Sequence, residues 1–572
     1  MSKLLLMWLL VCAQCTKAYS TDQDILAKID NMVNKTMACY GVPGMNLVLA
    51  QGDQILLSKG YGYANVARNT PVTTKTMFLL ASTTKAFVAT TLAHVVADTN
   101  NNVTWDSPAR DAIGDWFYLN DAYRTQQVNL KDLLAHRVGL PGNNPVRIIG
   151  LSREELLKKL RFFETTKPFR DEWLYHNILY GVAGFMAEKI TGKTWEEICR
   201  EKIYVPLGMN SSTFFHLAQE RYGEFATPYI MYNGTLREVS MDVAGSYYGS
   251  ISSPGGVSSN AEDMSKWLLF HLSGGQNQAG EQVINKAHLE DTYKPLITIR
   301  GRDTILRPAF PVSGTFREKY GLGWNVGQYR GYRSLMHTGN MNGFHSMVSL
   351  LPDKQIGFYM SLNGPSTSRS GTIREVLQAY ATDLMLGETP WLNETTACTF
   401  PAPWEPSNYD NGEVDDVSVV NYNSSRPLEE YTGLYGNYGY GNVSIVLNTT
   451  TQTLELIYGP KGRWLLHPTA MDDVFTGEGQ EPFWYWTLRN SKFATKGGNE
   501  IATLTLPGFE NSLPPVFEKN VQMSSAPSPP ELGPWSTAVP PTCAPCTNKA
   551  DLLLPTYTLL LLALYFLSCS FC

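Results

Sequence analysis

The feature that most constrains this chain is the segment from Phe78 to Lys85, which is followed by an apolar run from Ala86 to Val96. Apolar residues recur in that run at helical spacing, which predicts a helix that begins at Ser82. Lys85 then lies one turn beyond Ser82 on the same helix face. A lysine amine beside a serine hydroxyl can remove its proton, and helix N-terminal amides favour the resulting negative charge. The segment therefore predicts an activated serine nucleophile.

A Ser-x-x-Lys tetrapeptide is a weak signal alone, because a chain of this size contains about one or two by chance. Two further motifs strengthen it by their order, since Tyr175-His176-Asn177 comes later and His337-Thr338-Gly339 later still. Other Tyr-x-Asn tripeptides occur, but only this one lies between the two other motifs and directly precedes a predicted amphipathic helix. The three motifs together indicate one catalytic set.

With these motifs in this order, the sequence resembles the class C β-lactamase and D,D-peptidase superfamily of serine hydrolases. The motifs of that superfamily are Ser-x-x-Lys, Tyr-x-Asn, and Lys-Thr-Gly or His-x-Gly. The resemblance covers about residues 25 to 390 and extends to the segments 42–44, 133–141 and 254–259. It implies an enzyme that hydrolyses an amide or ester through a covalent acyl-enzyme.

The resemblance also implies roles for individual residues. Ser82 would attack the carbonyl carbon, and Lys85 with Tyr175 would act as the general base. Free lysine and tyrosine both titrate near pH ~10, so the pKa of one must be lowered for work at neutral pH. The division of the role between the two is left open, because they form a coupled pair.

The substrate side of the site follows from the same resemblance. Asn177 would hold Lys85 and the substrate amide. The segment His337-Thr338-Gly339, which follows a predicted strand, would form the opposite wall of the cleft. The backbone amides of Asn340 and Ser82 would form an oxyanion hole.

Two positions depart from the family pattern. A lysine at position 337 would anchor a substrate carboxylate, whereas His337 is mostly neutral at pH 7, which leaves recognition of β-lactams and terminal carboxylates unsupported. Val138 replaces a residue that is usually serine in this loop.

The order of the predicted elements indicates the fold class. Helices over residues 25–37 and 372–386 enclose a β-hairpin over 45–59 and later strands over 333–336, 344–351 and 355–362. Most of the chain between residue 98 and about residue 320 is predicted as helix and loop. This pattern predicts an α+β domain, an antiparallel sheet flanked by helices with an inserted helical region. Short strands alternating with turns between residues 431 and 517 resemble the lipocalin-like β-barrel appended to some members of the superfamily.

The length of 572 residues predicts more than one domain. The predicted organisation is a signal peptide over 1–20, a hydrolase domain over 21–390, a linker over 391–425, a β-barrel over 426–520, a proline-rich stalk over 521–550 and a hydrophobic tail over 551–572.

Both ends carry targeting signals. A lysine, a short apolar run and small residues before Thr21 predict a secretory signal peptide. The apolar, nearly uncharged tail favours a glycosylphosphatidylinositol attachment signal, and a C-terminal membrane helix is the alternative. Either interpretation predicts a membrane-tethered protein whose domains face the outside, and a secreted protein is left open as the alternative. The oligomeric state is also left open, a homo-oligomer included.

The remaining features fit a secreted chain. The compartment permits one disulfide among Cys39, Cys199 and Cys398, with the pairing left open. Eight glycosylation sequons occur near their chance frequency. Their asparagines are Asn34, Asn102, Asn210, Asn233, Asn393, Asn423, Asn442 and Asn448.

No cofactor is predicted, and no metal, because the histidines show no metal-ligand spacing. Nucleic acid is not a predicted partner, since no basic stripe is present and the net charge is -6.

The leading hypothesis is a serine hydrolase acting on a peptide or small molecule. The alternative is a catalytically silent extracellular binding or matrix protein that retains the fold, although such a protein has no physical need for a buried lysine.

Overall fold

The computed structural model describes residues 23–300, 310–367, 370–404, 422–529 and residue 532. The predicted signal peptide, hydrophobic tail and most of the predicted stalk lie outside these residues. The described residues up to Pro529 form one compact unit. Within the described ranges, no helix is long and apolar enough to cross a membrane.

A nine-stranded antiparallel sheet carries the first part of the chain. The strands of this part are β1 (Gly44–Gln51), β2 (Gln54–Asn65), β3 (Thr70–Pro71), β4 (Phe78–Leu79), β5 (Thr213–Phe214), β6 (Tyr229–Tyr232), β7 (Thr235–Glu238), β8 (Val257–Ser259), β9 (Ile297–Thr298), β10 (Gly314–Tyr320), β11 (Asn325–Tyr329), β12 (Tyr332–Met341), β13 (Phe344–Leu351) and β14 (Ile356–Leu362). The sheet order is β3-β2-β1-β14-β13-β12-β11-β10-β9, while β4-β8-β5 and β6-β7 form two small sheets.

Helices cover both faces of the large sheet. They are α1 (23–40), α2 (Thr84–Ala97), α3 (Ala109–Ile113), α4 (Ala122–Gln127), α5 (Leu130–Leu134), α6 (Arg153–Lys158), α7 (Asn177–Thr191), α8 (Trp195–Cys199), α9 (Val205–Leu207), α10 (Met241–Tyr248), α11 (Ala261–Leu272), α12 (Lys286–Asp291), α13 (Ser370–Met385) and α14 (Glu394–Thr399). Helices α1 and α13 share one apolar core with the sheet, and α2, α7 and α11 belong to a second core on the other side. The predicted α+β class is confirmed.

Several local predictions differ from the structure. Strands β9 and β10 extend the sheet where mostly helix and loop are predicted, and β11 lies in a segment for which no element is predicted. Strand β9 has only two residues, and none of the three carries a long apolar alternation. The strand predicted to end at Met336 continues to Met341, so His337, Thr338 and Gly339 lie inside β12 and not after it. The predicted hairpin is confirmed, since β1 and β2 pair antiparallel around residues 51–54.

The second part of the chain is a closed antiparallel barrel of eight strands. They are β15 (Gly433–Asn437), β16 (Gly441–Asn448), β17 (Thr453–Tyr458), β18 (Gly462–Pro468), β19 (Val474–Gly479), β20 (Leu488–Thr495), β21 (Ile501–Thr505) and β22 (Val516–Lys519). The short strands predicted between residues 431 and 517 include one over 483–488, which is wrong except at Leu488, where β20 begins. Phe483 and Trp486 donate their backbone N–H groups to the carbonyls of Gln480 and Phe483, which makes this segment a turn.

Large side chains fill the interior of the barrel. Tyr435, Tyr458, Trp464 and Phe493 are each at most 1 % exposed and point into one apolar core. Their polar atoms are hydrogen-bonded within the barrel, as when the Tyr435 hydroxyl donates to the Tyr431 carbonyl at 2.7 Å. The interior is therefore packed as a core.

The disulfide left open by the sequence joins Cys39 of α1 to Cys398 of α14, with their Cα atoms 5.7 Å apart. It ties the first described helix to the segment that follows α13. Cys199 is free and buried, and burial raises the pKa of its thiol to about 12, so it remains a protonated thiol at neutral pH.

Candidate active site

Ser82 lies in a tight 3-10 turn, Ala81–Thr83, between β4 and α2. The predicted helix therefore begins at Thr84, after Ser82 and not at it. Ala81 has a φ of +47°, in the left-handed region that non-glycine residues rarely adopt. Such strain persists where the surrounding fold imposes it, and it concentrates at functional sites. Here it turns the chain sharply from strand to helix directly before the serine.

Lys85 is fully buried directly beneath the serine. Its Nζ lies 3.2 Å from Ser82 Oγ, donates to Asn177 Oδ1 at 2.9 Å and donates to the Pro254 carbonyl at 2.8 Å. Burial, together with the positive charge of Arg147, holds the pKa of the Lys85 amine well below its usual range. The fold therefore favours the neutral form of the amine.

Tyr175 stands on the other side of this amine, directly before α7. Lys85 Nζ lies 4.6 Å from the centre of the Tyr175 ring. Burial raises the pKa of the Tyr175 phenol, and a hydrogen bond with Ser82 opposes that rise only in part. Burial therefore favours the uncharged form of both partners of the predicted base pair, the free amine of the lysine and the protonated phenol of the tyrosine.

Asn177 is the first residue of α7, which places its side chain at the helix N-terminus beside Lys85. Its Oδ1 accepts from Lys85, and its Nδ2 donates to Asn144 Oδ1 at 3.0 Å. The helix is capped by His176, whose Nδ1 accepts from the backbone N–H of Leu179. The Tyr-x-Asn motif is thus divided, with its outer residues facing the serine and its middle residue capping the helix.

His337 is buried and fully engaged in hydrogen bonds. Its ring nitrogens contact the Tyr320 hydroxyl and the Thr338 carbonyl, each at 2.8 Å. Because a carbonyl can only accept, Nδ1 carries the proton, and Nε2 accepts from the hydroxyl. Burial and the neighbouring Lys85 lower the pKa of His337 to about 3, so the ring is neutral at pH 7.

The next residues of β12 complete this wall of the site. A Cβ atom at Gly339 would lie 2.0 Å from the Leu80 carbonyl oxygen, so only glycine lets β12 approach the segment before the serine this closely. The Gly339 carbonyl accepts from buried Arg374 at 2.8 Å, and Asn340 Oδ1 lies 2.9 Å from His345 Nδ1. The wall is therefore held from behind by a buried cation and a histidine.

Between these walls lies a cleft of about 280 Å³. Six residues singled out from the sequence line it: Ser82, Tyr175, Asn177, His337, Thr338 and Asn340. Lys85 lies below Ser82, and Gly339 lies in β12 behind the residues that line the cleft. Five further residues line the cleft without having been predicted: Trp173, Ile299, Arg317, Tyr320 and Asn325.

Two charged residues at the site escaped sequence analysis. Arg147 is 4 % exposed, and its guanidinium lies 5.1 Å from the Tyr248 ring centre and donates to the Tyr247 carbonyl at 2.8 Å. Arg317 lines the cleft, and no ion-pair partner for it lies among the described residues. Neither belongs to a motif, and only the fold brings them to the serine.

The glycosylation candidates are all exposed, as expected of acceptors: Asn34, Asn102, Asn210, Asn233, Asn393, Asn423, Asn442 and Asn448. Across the part of the chain that the structure describes, no three His, Cys, Asp or Glu residues are grouped so that they could hold a metal ion.

The fold and the site together define a serine hydrolase of the class in which a lysine lies beside the serine. The family model described as Beta-lactamase matches residues 29–382, which is more than half of the chain. The chain belongs to this family.

Individual relatives agree with this assignment. An unguisins hydrolase of Aspergillus campestris is 29 % identical over 64 % of this chain and 66 % of its own length. A second unguisins hydrolase, of Aspergillus violaceofuscus, is 26 % identical over 74 % of this chain and 77 % of its own length. Among solved structures, the octameric penicillin-binding protein homologue from Pyrococcus abyssi aligns with a TM-score of 0.54 and 20 % identity, over 86 % of this chain and all of its own. At this identity the structural match establishes the fold.

Proposed function

We propose that this chain is an extracellular, membrane-tethered serine hydrolase that cleaves an amide or ester through an acyl-enzyme on Ser82, with Lys85 as the general base. The observation that carries the proposal is the geometry of the Lys85 amine. A neutral amine has two N–H groups and one lone pair. Its two donor positions face Asn177 Oδ1 and the Pro254 carbonyl, and the third contact is Ser82 Oγ.

This arrangement supports lysine over tyrosine as the base, a choice that the sequence left open. With both N–H groups engaged by acceptors, the lone pair of the neutral amine faces the serine hydroxyl and can take its proton. Tyr175 is a poor base because burial raises the pKa of its phenol. The phenol keeps its proton and is suited to act as an acid.

The reaction then proceeds in two stages. As Ser82 Oγ attacks the carbonyl carbon, its proton passes to Lys85, and a tetrahedral oxyanion forms opposite the backbone amides of Ser82 and Asn340. Such donors are typically worth about 3 to 4 kcal/mol each. When the intermediate collapses, the bond to the leaving group breaks, Tyr175 donates a proton to that group, and the proton on Lys85 restores the phenol. Water then attacks the acyl-enzyme by the reverse sequence and releases Ser82.

Arg317 supplies the charge that His337 lacks. Neutral His337 cannot anchor a carboxylate, whereas the guanidinium of Arg317 lines the same cleft and is permanently charged. We therefore include in the proposal a substrate with an anionic group on the β12 side of the scissile bond. This reopens terminal-carboxylate recognition, which the sequence left unsupported. The names of the fungal relatives, as hydrolases of unguisins, support hydrolysis and leave the substrate of this chain to experiment.

The extracellular location rests on the sequence signals at both ends. The Cys39–Cys398 disulfide supports it, because disulfides persist in oxidising compartments. The exposure of all eight sequon asparagines is compatible with glycosylation there. Release of the protein from cells by phosphatidylinositol-specific phospholipase C tests the lipid anchor, and retention after that treatment favours a membrane helix.

The central experiment labels the purified protein with a fluorophosphonate, which phosphonylates activated serines. We expect labelling of the wild type, none of Ser82→Ala, and a rate about 10³-fold lower for Lys85→Met. Peptide mapping should locate the label on Ser82. Equal labelling of Ser82→Ala and wild type would contradict the proposal and favour the silent binding protein.

A further inference from the structure

The chemistry proposed above depends on the orientation of one amide. Asn177 turns Oδ1 toward Lys85 and Nδ2 toward Asn144 Oδ1. If this amide flipped, its NH₂ group would face the amine, and the lone pair of Lys85 would turn toward it and away from Ser82. The acceptor on Asn144 therefore fixes the orientation that keeps the base available.

Asn144 is held in place from the barrel. The preceding residue, Asn143, is 4 % exposed and adopts a left-handed φ of +47°. Its Nδ2 donates to the Tyr440 hydroxyl at 2.6 Å, and its backbone N–H donates to Glu510 Oε2 at 3.3 Å. Tyr440 lies between β15 and β16, and Glu510 lies between β21 and β22. Two barrel loops thus hold the turn that carries Asn144.

The tip of the β15–β16 hairpin fits tightly against the hydrolase part. A Cβ atom at Gly439 would lie 2.6 Å from Phe163 Cε1, and the Tyr440 ring packs edge-on against Phe163 with a centroid distance of 5.2 Å. Lys159 Nζ donates to the Tyr438 carbonyl at 3.0 Å. Because no space separates the surfaces here, a displacement of the hairpin would be passed directly to Asn143.

We propose that the barrel is a working part of the active site, in which Tyr440 and Glu510 are positioning residues that act through Asn143 and Asn144 on the Asn177 amide. The inference rests on the proposed function and deepens it, because it gives the barrel a role at the serine. That role agrees with a barrel interior that is filled by the barrel's own aromatic side chains.

A double-mutant cycle on the full chain tests the connection. Asn144→Leu removes the amide oxygen that accepts from Asn177 Nδ2. Tyr440→Phe removes only the hydroxyl that accepts from Asn143 Nδ2. We expect each to slow fluorophosphonate labelling of Ser82 by up to about tenfold. If the two act in series, the double variant is as slow as Asn144→Leu alone. Effects that multiply would overturn the proposal.

The pH profile separates positioning from a general loss of stability. A flipped Asn177 would donate to the Lys85 lone pair, favour the neutral amine and lower the pKa of Lys85 further. The acid limb of the labelling rate should therefore move to lower pH in Asn144→Leu and Tyr440→Phe. Tyr431→Phe is the matched control, because it removes the hydroxyl of another buried barrel tyrosine, which donates to Asp473. The proposal would be contradicted if the acid limb of the labelling rate stayed at the wild-type pH in Tyr440→Phe, or if it moved by the same amount in Tyr431→Phe.

A second variant perturbs the same contact without touching a hydrogen bond. Gly439→Ala places a methyl group against Phe163 and should push the hairpin away, slowing labelling in the same manner as Tyr440→Phe. Labelling of Gly439→Ala and Tyr440→Phe at the wild-type rate would overturn the inference while leaving the proposed function intact. Failure of the wild type to be labelled at Ser82 would contradict the proposed function itself.

Discussion

The active site and the barrel interior bury polar groups in opposite ways. Lys85 and Arg147 are basic residues with buried side chains, and neither has a carboxylate within ion-pair distance among the described residues. Arg147 Nε also has no hydrogen-bond partner there. In the barrel, Tyr435 and Tyr458 bury neutral hydroxyls, and each donates to a backbone carbonyl within the barrel.

This difference distinguishes buried polar groups that serve the reaction from buried polar groups that serve folding stability. A buried group that must be charged in water but neutral in the fold lowers the stability of the folded state. In the barrel interior, the buried tyrosine hydroxyls are neutral and hydrogen-bonded, so they do not lower the stability of the folded state in this way. The contrast indicates that the buried polar groups around Ser82 serve proton transfer. Changes at the active site and in the barrel interior should therefore have different effects.

The largest effect should be on how stability depends on pH. The pKa of Lys85 is lowered by folding, so between its folded and unfolded pKa values the unfolded chain binds one more proton. The wild type should therefore gain up to about 1.4 kcal/mol of unfolding free energy per pH unit from this residue as the pH rises. Lys85→Met lacks this term.

Chemical denaturation at pH values from about 6 to about 9 measures the difference. Any stability advantage of Lys85→Met over wild type should shrink as the pH rises. Lys75→Met, at an exposed position, is the control and should leave the slope unchanged. A parallel pH dependence for Lys85→Met and wild type would mean that Lys85 is charged in the fold.

The next largest effect should come from the loss of Tyr175, the proposed general acid. Tyr175→Phe removes the phenol beside Ser82 and should lower turnover of an ester or amide substrate by about 10²-fold or more. Tyr180→Phe is the matched control, because Tyr180 also lies near Lys85 but is fully buried and donates to the Leu134 carbonyl at 2.6 Å. Equal losses in both variants would assign the effect to packing and not to proton transfer.

A smaller effect should depend on substrate charge. Arg317→Gln should raise KM about tenfold for substrates with a carboxylate near the scissile bond and leave neutral substrates unchanged. Lys319→Gln removes the same charge from the same strand at an exposed position and serves as the control. If Arg317→Gln affects neutral and anionic substrates alike, Arg317 does not recognise the charge.

The smallest effect belongs to the barrel interior. Tyr435→Phe deletes one hydrogen bond to the Tyr431 carbonyl and should cost about 1 kcal/mol of unfolding free energy. Labelling of Ser82 should be unchanged, because this hydroxyl contacts neither Asn143 nor the hydrolase part. A slower labelling rate would show that the whole barrel, and not only its two loops, influences the site.

The sequence predicts the site well where its geometry is local. Ser82 and Lys85 are three residues apart, so any helical turn brings them together, and the order of the motifs identifies the other walls. Arg317 and Asn144 were not predictable, because their positions depend on strands and turns far from the serine in the chain. The division of labour between Lys85 and Tyr175 also depends on burial, which the sequence does not specify.

The fold follows the same rule. Two short strand-like segments around the turn at residues 51–53 identify β1 and β2, and short strands between turns identify β16, β17, β18 and β21 of the barrel. Strands β9 to β11 are short or irregular and owe their pairing to neighbours in the sheet. The segment 483–488 is aromatic and resembles a strand, but its tertiary surroundings make it a turn.

The most direct test of the account is the pH dependence of the rate at which a fluorophosphonate labels Ser82. If Lys85 is the buried, neutral base, the rate should already be maximal at neutral pH and fall only as the pH drops through the lowered pKa of the amine. A rate that keeps rising toward pH ~10, where an ordinary lysine loses its proton, would contradict the central claim.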